Sequence, residues 1–148
     1  MLVKDILKLK GDAVYSVGPD VPLPQAVAVM VDRDIGSLLV QRGRQMVGLL
    51  TFREVLSALH RHRGDIHEVR VAEVMVSNPV VADPDDSMDQ VRAVMTENHI
   101  RYLPVLKADA LLGIVSFHDI ARAALKLASF ENKLLKQYIK NWPEQGEP

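Results

Sequence analysis

The chain has 148 residues, 48% of them hydrophobic and 25% charged, with a formal net charge of −1 and no cysteine. That length suits one compact domain or two halves sharing a core, and the composition is that of an ordinary soluble globular protein. The near-neutral charge offers no basic surface for nucleic acid, and the absence of cysteine excludes disulfides, thiol nucleophiles and zinc–cysteine sites.

The N-terminal stretch MLVKDILKLKGD lacks a long apolar segment, so no signal peptide is expected. No apolar run approaches the roughly 20 residues of a membrane span, so no membrane contact is expected and the setting is read as cytoplasmic. AVYSV at 13–17 reads as a short strand. An amphipathic helix follows, with Ala26, Val27, Val29 and Met30 on its apolar side and Pro22 at its start. SLLV is a strand, QRGRQ a polar turn and MVGLLT a short apolar strand of buried type. A second helix begins at TFRE and ends near Gly64.

The same order then returns. PVVA at 79–82 is a strand candidate. Ser87 with Gln90 forms a capping box, and Met88, Val91, Val94 and Met95 follow at helical spacing. YLPV, KADA and LLGIVS give strand, turn and strand, and a helix starts at SFHD. From Phe117 to Trp142 there is no glycine or proline, which predicts one helix of up to about 25 residues.

A shift of 65 lays residues 19–56 on 84–121 without a gap, with 11 identities in 38 positions. Chance would give roughly two or three. Pro19-Asp20 meets Pro84-Asp85, Gln25 meets Gln90, Ala28 meets Ala93, Ile35 meets Ile100, Gly48 meets Gly113 and Phe52 meets Phe117. Upstream, VKDIL at 3–7 resembles VAEVM at 71–75 with a shift of 68, so the first copy carries three extra residues around KLKGDAVYS. The expected fold is α+β: two β-α-β-β-α repeats related by a pseudo-twofold axis, with an extended C-terminal helix. Residues 1–63 form the first repeat, 64–70 a linker, 71–127 the second repeat, and 128–148 a helical extension and tail.

Each final strand meets its helix at a hydroxyl followed three residues later by a carboxylate: Thr51 with Glu54, and Ser116 with Asp119. One reading is helix capping, the hydroxyl accepting a backbone N–H and the carboxylate reaching back. The other is nucleotide binding. A helix start presents N–H groups and partial positive charge to a phosphate, and a carboxylate there accepts from both ribose hydroxyls. Both hold if capping serves the empty state and contact the bound one. Glu54 is longer than Asp119 by one methylene, which makes ribose capture less favourable at the first junction.

The ordered set VGPDVPLPQAVAVMVDRDIGSLLV…MVGLLTFREVL, followed by VADPDDSMDQVRAVMTENHIRYLPV…LLGIVSFHDIA, resembles the cystathionine-β-synthase-type (CBS) domain over residues 3–125. The resemblance implies one flat module, taken to be the entire protein with no attached enzyme or transporter. Its two clefts are each shared between repeats and bind adenosine-containing ligands: AMP, ADP, ATP, NAD or S-adenosylmethionine. It further implies sensing of energy or redox state and signalling to a protein target that the sequence does not identify. One cleft would use Ile114, Ser116, His118 and Asp119, completed by Lys10, Gly11 and Tyr15 and by Ile35, Gly36 and Ser37. Lys10 would pair with phosphate and Tyr15 stack on adenine; the alternatives are a solvated lysine and a half-buried strand aromatic. The other cleft would use Thr51, Arg53 and Glu54, completed by Val80 in SNPVV and by Ile100, Arg101 and Tyr102. Arg101 is its natural anion partner. Simple exposure is the alternative for Arg53, Arg101 and His118.

No other cluster points to catalysis or metal. His60 and His62 lie in HRHRGD at a helix end among arginines, and His99 and His118 have no partner at ligand spacing. Asp83, Asp85, Asp86 and Asp89 lack the glycine and terminal glutamate of a calcium loop. Ser116, His118 and Asp119 are too close in sequence to form a relay. A non-enzymatic regulatory module is therefore expected, with a structural or dimerisation module of non-binding clefts as the alternative. Beyond the second repeat, Phe130, Leu134, Leu135, Tyr138, Ile139 and Trp142 keep an apolar stripe that must pack on its own domain or on a second copy. A homodimer is expected, through that stripe or the helices at 51–62.

Overall fold

In the computed structural model, which describes residues 1–11 and 13–140, the 65-residue shift reappears as geometry. The elements are α1 (Val3–Lys10), β1 (Ser16–Val17), α2 (Leu23–Arg33), β2 (Ser37–Arg42), β3 (Gln45–Thr51), α3 (Phe52–Arg61), α4 (Val71–Val74), α5 (Met88–Glu97), β4 (Tyr102–Lys107), β5 (Ala110–Ser116) and α6 (Phe117–Lys140). The antiparallel pair β2–β3 sets Ser37 opposite Thr51, and β4–β5 sets Tyr102 opposite Ser116. Even the irregularity in each ladder repeats, after Val40 in one and after Val105 in the other. Asp34 and His99, again 65 apart, both take the left-handed conformation where a helix turns into a strand, with φ of 52° and 53°.

The helix ends obey the expected chemistry. Ser87 N–H donates to Gln90 Oε1 at 2.8 Å and Gln90 N–H donates to Ser87 Oγ at 3.1 Å, closing the box at α5. Pro22 caps α2 without a side-chain bond. After α3 the chain turns at Gly64, whose φ of 87° suits glycine and whose N–H donates to Leu59 O at 2.7 Å.

The first strand of each repeat is shorter than expected. Of 13–17, only Ser16 and Val17 pair, parallel to Leu39 and Val40. Residues 79–82 form no strand. Pro79 has no N–H to give, Val80 and Val81 are exposed, and a single parallel bridge joins Ala82 to Val105.

Neither α1 nor α4 is among the expected elements, and each packs on the other half. Val3 and Ile6 of α1 are buried with Met88, Val91, Leu103, Val115 and Ile120 of the second repeat. Val71 and Val74 of α4 are buried with Leu23, Met30, Leu38 and Leu50 of the first. Backbone bonds fix the exchange: Lys4 N–H donates to Pro84 O, and Ala72 N–H donates to Pro19 O.

The paired glycines follow from that exchange. Met75, just after α4, lies on Gly48, and Leu7 of α1 lies on Gly113. A Cβ on Gly48 would sit 2.9 Å from Val76 O, a backbone atom held in a two-way bridge with Leu49. Gly48→Ala should therefore cost about 1–3 kcal/mol of stability, read from urea unfolding. A neutral result would mean that the segment after α4 does not press on β3.

The last helix runs the expected length, with Trp142 lying outside the described residues. Through Leu127 it packs on the second core, whereas the described residues beyond it, 128–140, are all exposed, with Phe130, Leu134, Leu135 and Ile139 left largely in solvent. Among the described residues no helix is long and apolar enough to cross a membrane.

Candidate functional site

Both junctions lie where β3 and β5 turn into helices, and the first helical N–H of each is pinned across the pair. Phe52 N–H donates to Gly36 O at 3.2 Å, and Phe117 N–H donates to Arg101 O at 2.7 Å. Residues 36 and 101 are thereby drawn beside the junction of their own repeat. Tyr102 crosses the seam between the repeats: a Cβ on Gly36 would overlap the Tyr102 hydroxyl and the Phe52 ring. Burial pushes the Tyr102 hydroxyl's pKa up; Arg101's positive charge opposes this and Asp119's negative charge adds to it.

At the first junction the carboxylate is consumed locally. Thr51 N–H donates to Glu54 Oε1 at 2.9 Å, and the Thr51 hydroxyl donates to the same oxygen at 2.7 Å. Arg53 N–H in turn donates to Thr51 Oγ1 at 3.3 Å. The longer Glu54 side chain thus folds back fully onto its own cap.

The second junction has a cap and a visitor. Ser116 N–H donates to Asp119 Oδ2 at 2.9 Å, and Asp119 N–H donates to Ser116 Oγ at 3.0 Å. Lys10, at the end of α1, donates to the same Asp119 Oδ2 at 2.9 Å and to Ile114 O at 2.9 Å. Burial alone would raise the Asp119 carboxyl, but the bonds from Lys10 and Ser116 and the lysine's charge outweigh it and hold it below the ordinary carboxylate value. The residue that the sequence offers to a phosphate is brought instead onto the carboxylate offered to ribose.

Beside this pair Ile6, Leu9 and Lys10 of α1 face Asp119, Arg122, Ala123 and Lys126 of α6 across a cavity of only about 20 Å³. That is room for about one water, whereas ligand pockets run to about 300–1,000 Å³. As it stands, that space is too small for a nucleoside. Sequence reasoning missed Arg122 and Lys126; their spacing of three and seven from Asp119, on one helix face, was the available signal.

The other candidates lie around the seam. Tyr15 is partly exposed, with the Arg33 guanidinium 5.1 Å from its ring centre, a cation–π contact that covers one face. Gly11 ends α1 with φ of 94°, a value that suits glycine. Ile35 N–H donates to Met30 O and Ile100 N–H to Met95 O, both at 3.0 Å, so the two isoleucines take equivalent places before Ser37 and Tyr102. Val80, Arg53, Arg101 and His118 are exposed. The aspartate run is tied into its own turn: Asp83 N–H donates to Asp86 Oδ2, and Lys4 and Lys107 reach Asp85. Hydrogen bonds from those two lysines, and their charges, hold the Asp85 carboxyl low. Among the described residues no group of three His, Cys, Asp or Glu could hold a metal ion.

The family model for the CBS domain matches residues 3–61 and 71–126. A CBS-domain protein from Agrobacterium tumefaciens has the same fold with a TM-score of 0.80 and 30% identity, covering 84% of this chain and 99% of that one. The CBS domain pair of protein MJ0100, solved in complex with 5′-methylthioadenosine and S-adenosyl-L-methionine, superposes with a TM-score of 0.73 and 25% identity, covering 83% and 98%. A 33.4 kDa protein of Thermofilum pendens is 36% identical over 99 residues, which take in 66% of this chain and 32% of that relative.

Proposed function

This chain belongs to the CBS domain family, and from that premise we propose that it is a regulatory module whose clefts take adenosine-containing ligands and whose closed and opened forms present different surfaces to a protein target. The observation that carries the reading is the Ser116–Asp119 junction, where a capping pair is bridged to the other repeat by Lys10. A ligand that took the carboxylate would break that bridge, and the free energy so exchanged is what a sensor needs. The ligands in the MJ0100 complex share ribose and adenine with AMP, ADP, ATP and NAD, so the class is supported without a choice inside it. The reading includes a cytoplasmic setting, in keeping with the absence of cysteine.

Thermal unfolding with each adenosine ligand tests the proposal. A true ligand at 100 times its Kd should add about 2.7 kcal/mol of stability. A second reading, a structural pair with permanently closed clefts, is favoured by the cavity of about 20 Å³, and it predicts no shift with any of them. Both readings accommodate a homodimer. Phe52 and Leu56 on α3 and Phe117 and Leu125 on α6 are exposed apolar side chains that a second copy would cover.

A further inference from the structure

Three cations and one carboxylate line the cavity between α1 and α6: Lys10, Arg122 and Lys126 against Asp119. Those four side chains sum to a charge of +2, and neither Arg122 nor Lys126 has an ion-pair partner among the described residues. Resting on the adenosine-ligand reading above, we propose that this cleft selects nucleosides carrying a phosphate chain and discriminates against neutral or sulfonium nucleosides.

Opening the cleft upsets a charge balance. Lys10 now spends its charge on Asp119 and the Ile114 carbonyl. A ribose diol that takes Asp119 displaces the ammonium and gives it nothing in return. A phosphate chain on the same nucleoside supplies the missing counter-charge. Arg122 and Lys126 stand on the face of α6 that carries Asp119, one and two turns further on, at rises of roughly 4.5 and 10.5 Å. They extend the positive charge along the direction a phosphate chain can follow. S-adenosylmethionine, with its sulfonium, would bring positive charge into a cleft that already has an excess.

The device is confined to this cleft. At the shift of 68, Asn78 stands for Lys10; at the shift of 65, Ser57 stands for Arg122, and only Arg61, for Lys126, keeps a charge. The first junction therefore has neither the displaced lysine nor the guanidinium one turn along.

Calorimetric titration of the full chain with ADP, adenosine and S-adenosylmethionine, repeated on the Arg122→Ala/Lys126→Ala double variant, tests this. The wild type should bind ADP at least about tenfold tighter than either of the others, a difference of about 1.4 kcal/mol. The double variant, checked for folding by circular dichroism, should bring the ADP-to-adenosine ratio close to one. Equal affinities, or tighter binding of S-adenosylmethionine, would overturn phosphate selection while leaving the adenosine-ligand reading intact. A ratio unchanged in the double variant would overturn the role given to α6. Failure of all three to bind folded protein would overturn both.

Discussion

Replacing Ile6 with alanine is expected to cost about 2–5 kcal/mol of unfolding free energy, although the residue lies in the first eight-residue helix of the chain. So short a helix has little stability of its own, and what α1 has comes from where it docks. Ile6 is only 2% exposed, and apart from Val3 of its own helix the buried residues of its core come from the second repeat. The site cannot collapse easily around a missing side chain. Val3 N–H donates to Asp86 O at 2.9 Å and Met88 N–H donates to Met1 O at 3.0 Å, so backbone bonds hold both sides of the gap apart. Lys8→Ala, on the solvent side of the same helix, should change stability by no more than about 0.5 kcal/mol. Urea unfolding of the two variants gives the contrast directly. If Ile6→Ala costs no more than Lys8→Ala, α1 is not part of the second core, and the link from Lys10 to the cleft goes with it.

The exchange of α1 and α4 is also where sequence reasoning stops. Side-by-side comparison of the repeats shows which segments are alike: Ser37–Thr51 and Tyr102–Ser116 fold into hairpins of matching register, as the shift of 65 predicts. Likeness does not say which copy a segment packs against. VKDIL and VAEVM look alike whether each covers its own sheet or the other, and only the long-range bonds of Lys4 and Ala72 decide it. The capping boxes were legible because they are local, a hydroxyl and an acceptor three residues apart. The Lys10–Asp119 bond was not, because its partners stand 109 positions apart and α1 reaches the cleft only through the exchange. PVVA misled for a local reason: β-branched residues favour a strand, but a proline and two exposed valines at a sheet edge leave only Ala82 paired.

The Ser116→Ala/Asp119→Ala double variant is expected to lose the whole of the ligand-induced gain of about 2.7 kcal/mol while remaining folded. The variant removes the cap of α6 and the carboxylate that holds Lys10, and caps of this kind are worth about 0.5–2 kcal/mol. The second core keeps every one of its side chains, since Met88, Val91, Leu103, Val115 and Ile120 are unchanged, and Lys10 is left near solvent rather than buried. The unliganded protein should therefore unfold somewhat earlier and still cooperatively. Asp119→Asn provides the check if the double variant is too weak: it keeps the shape of the cap but removes the charge that Lys10 and a ribose diol compete for. Melting curves of the three proteins, each with and without ligand at 100 times the wild-type Kd, separate the two losses. A ligand shift that survives in the double variant would move binding to the Thr51–Glu54 junction, where the carboxylate must first release both bonds from Thr51.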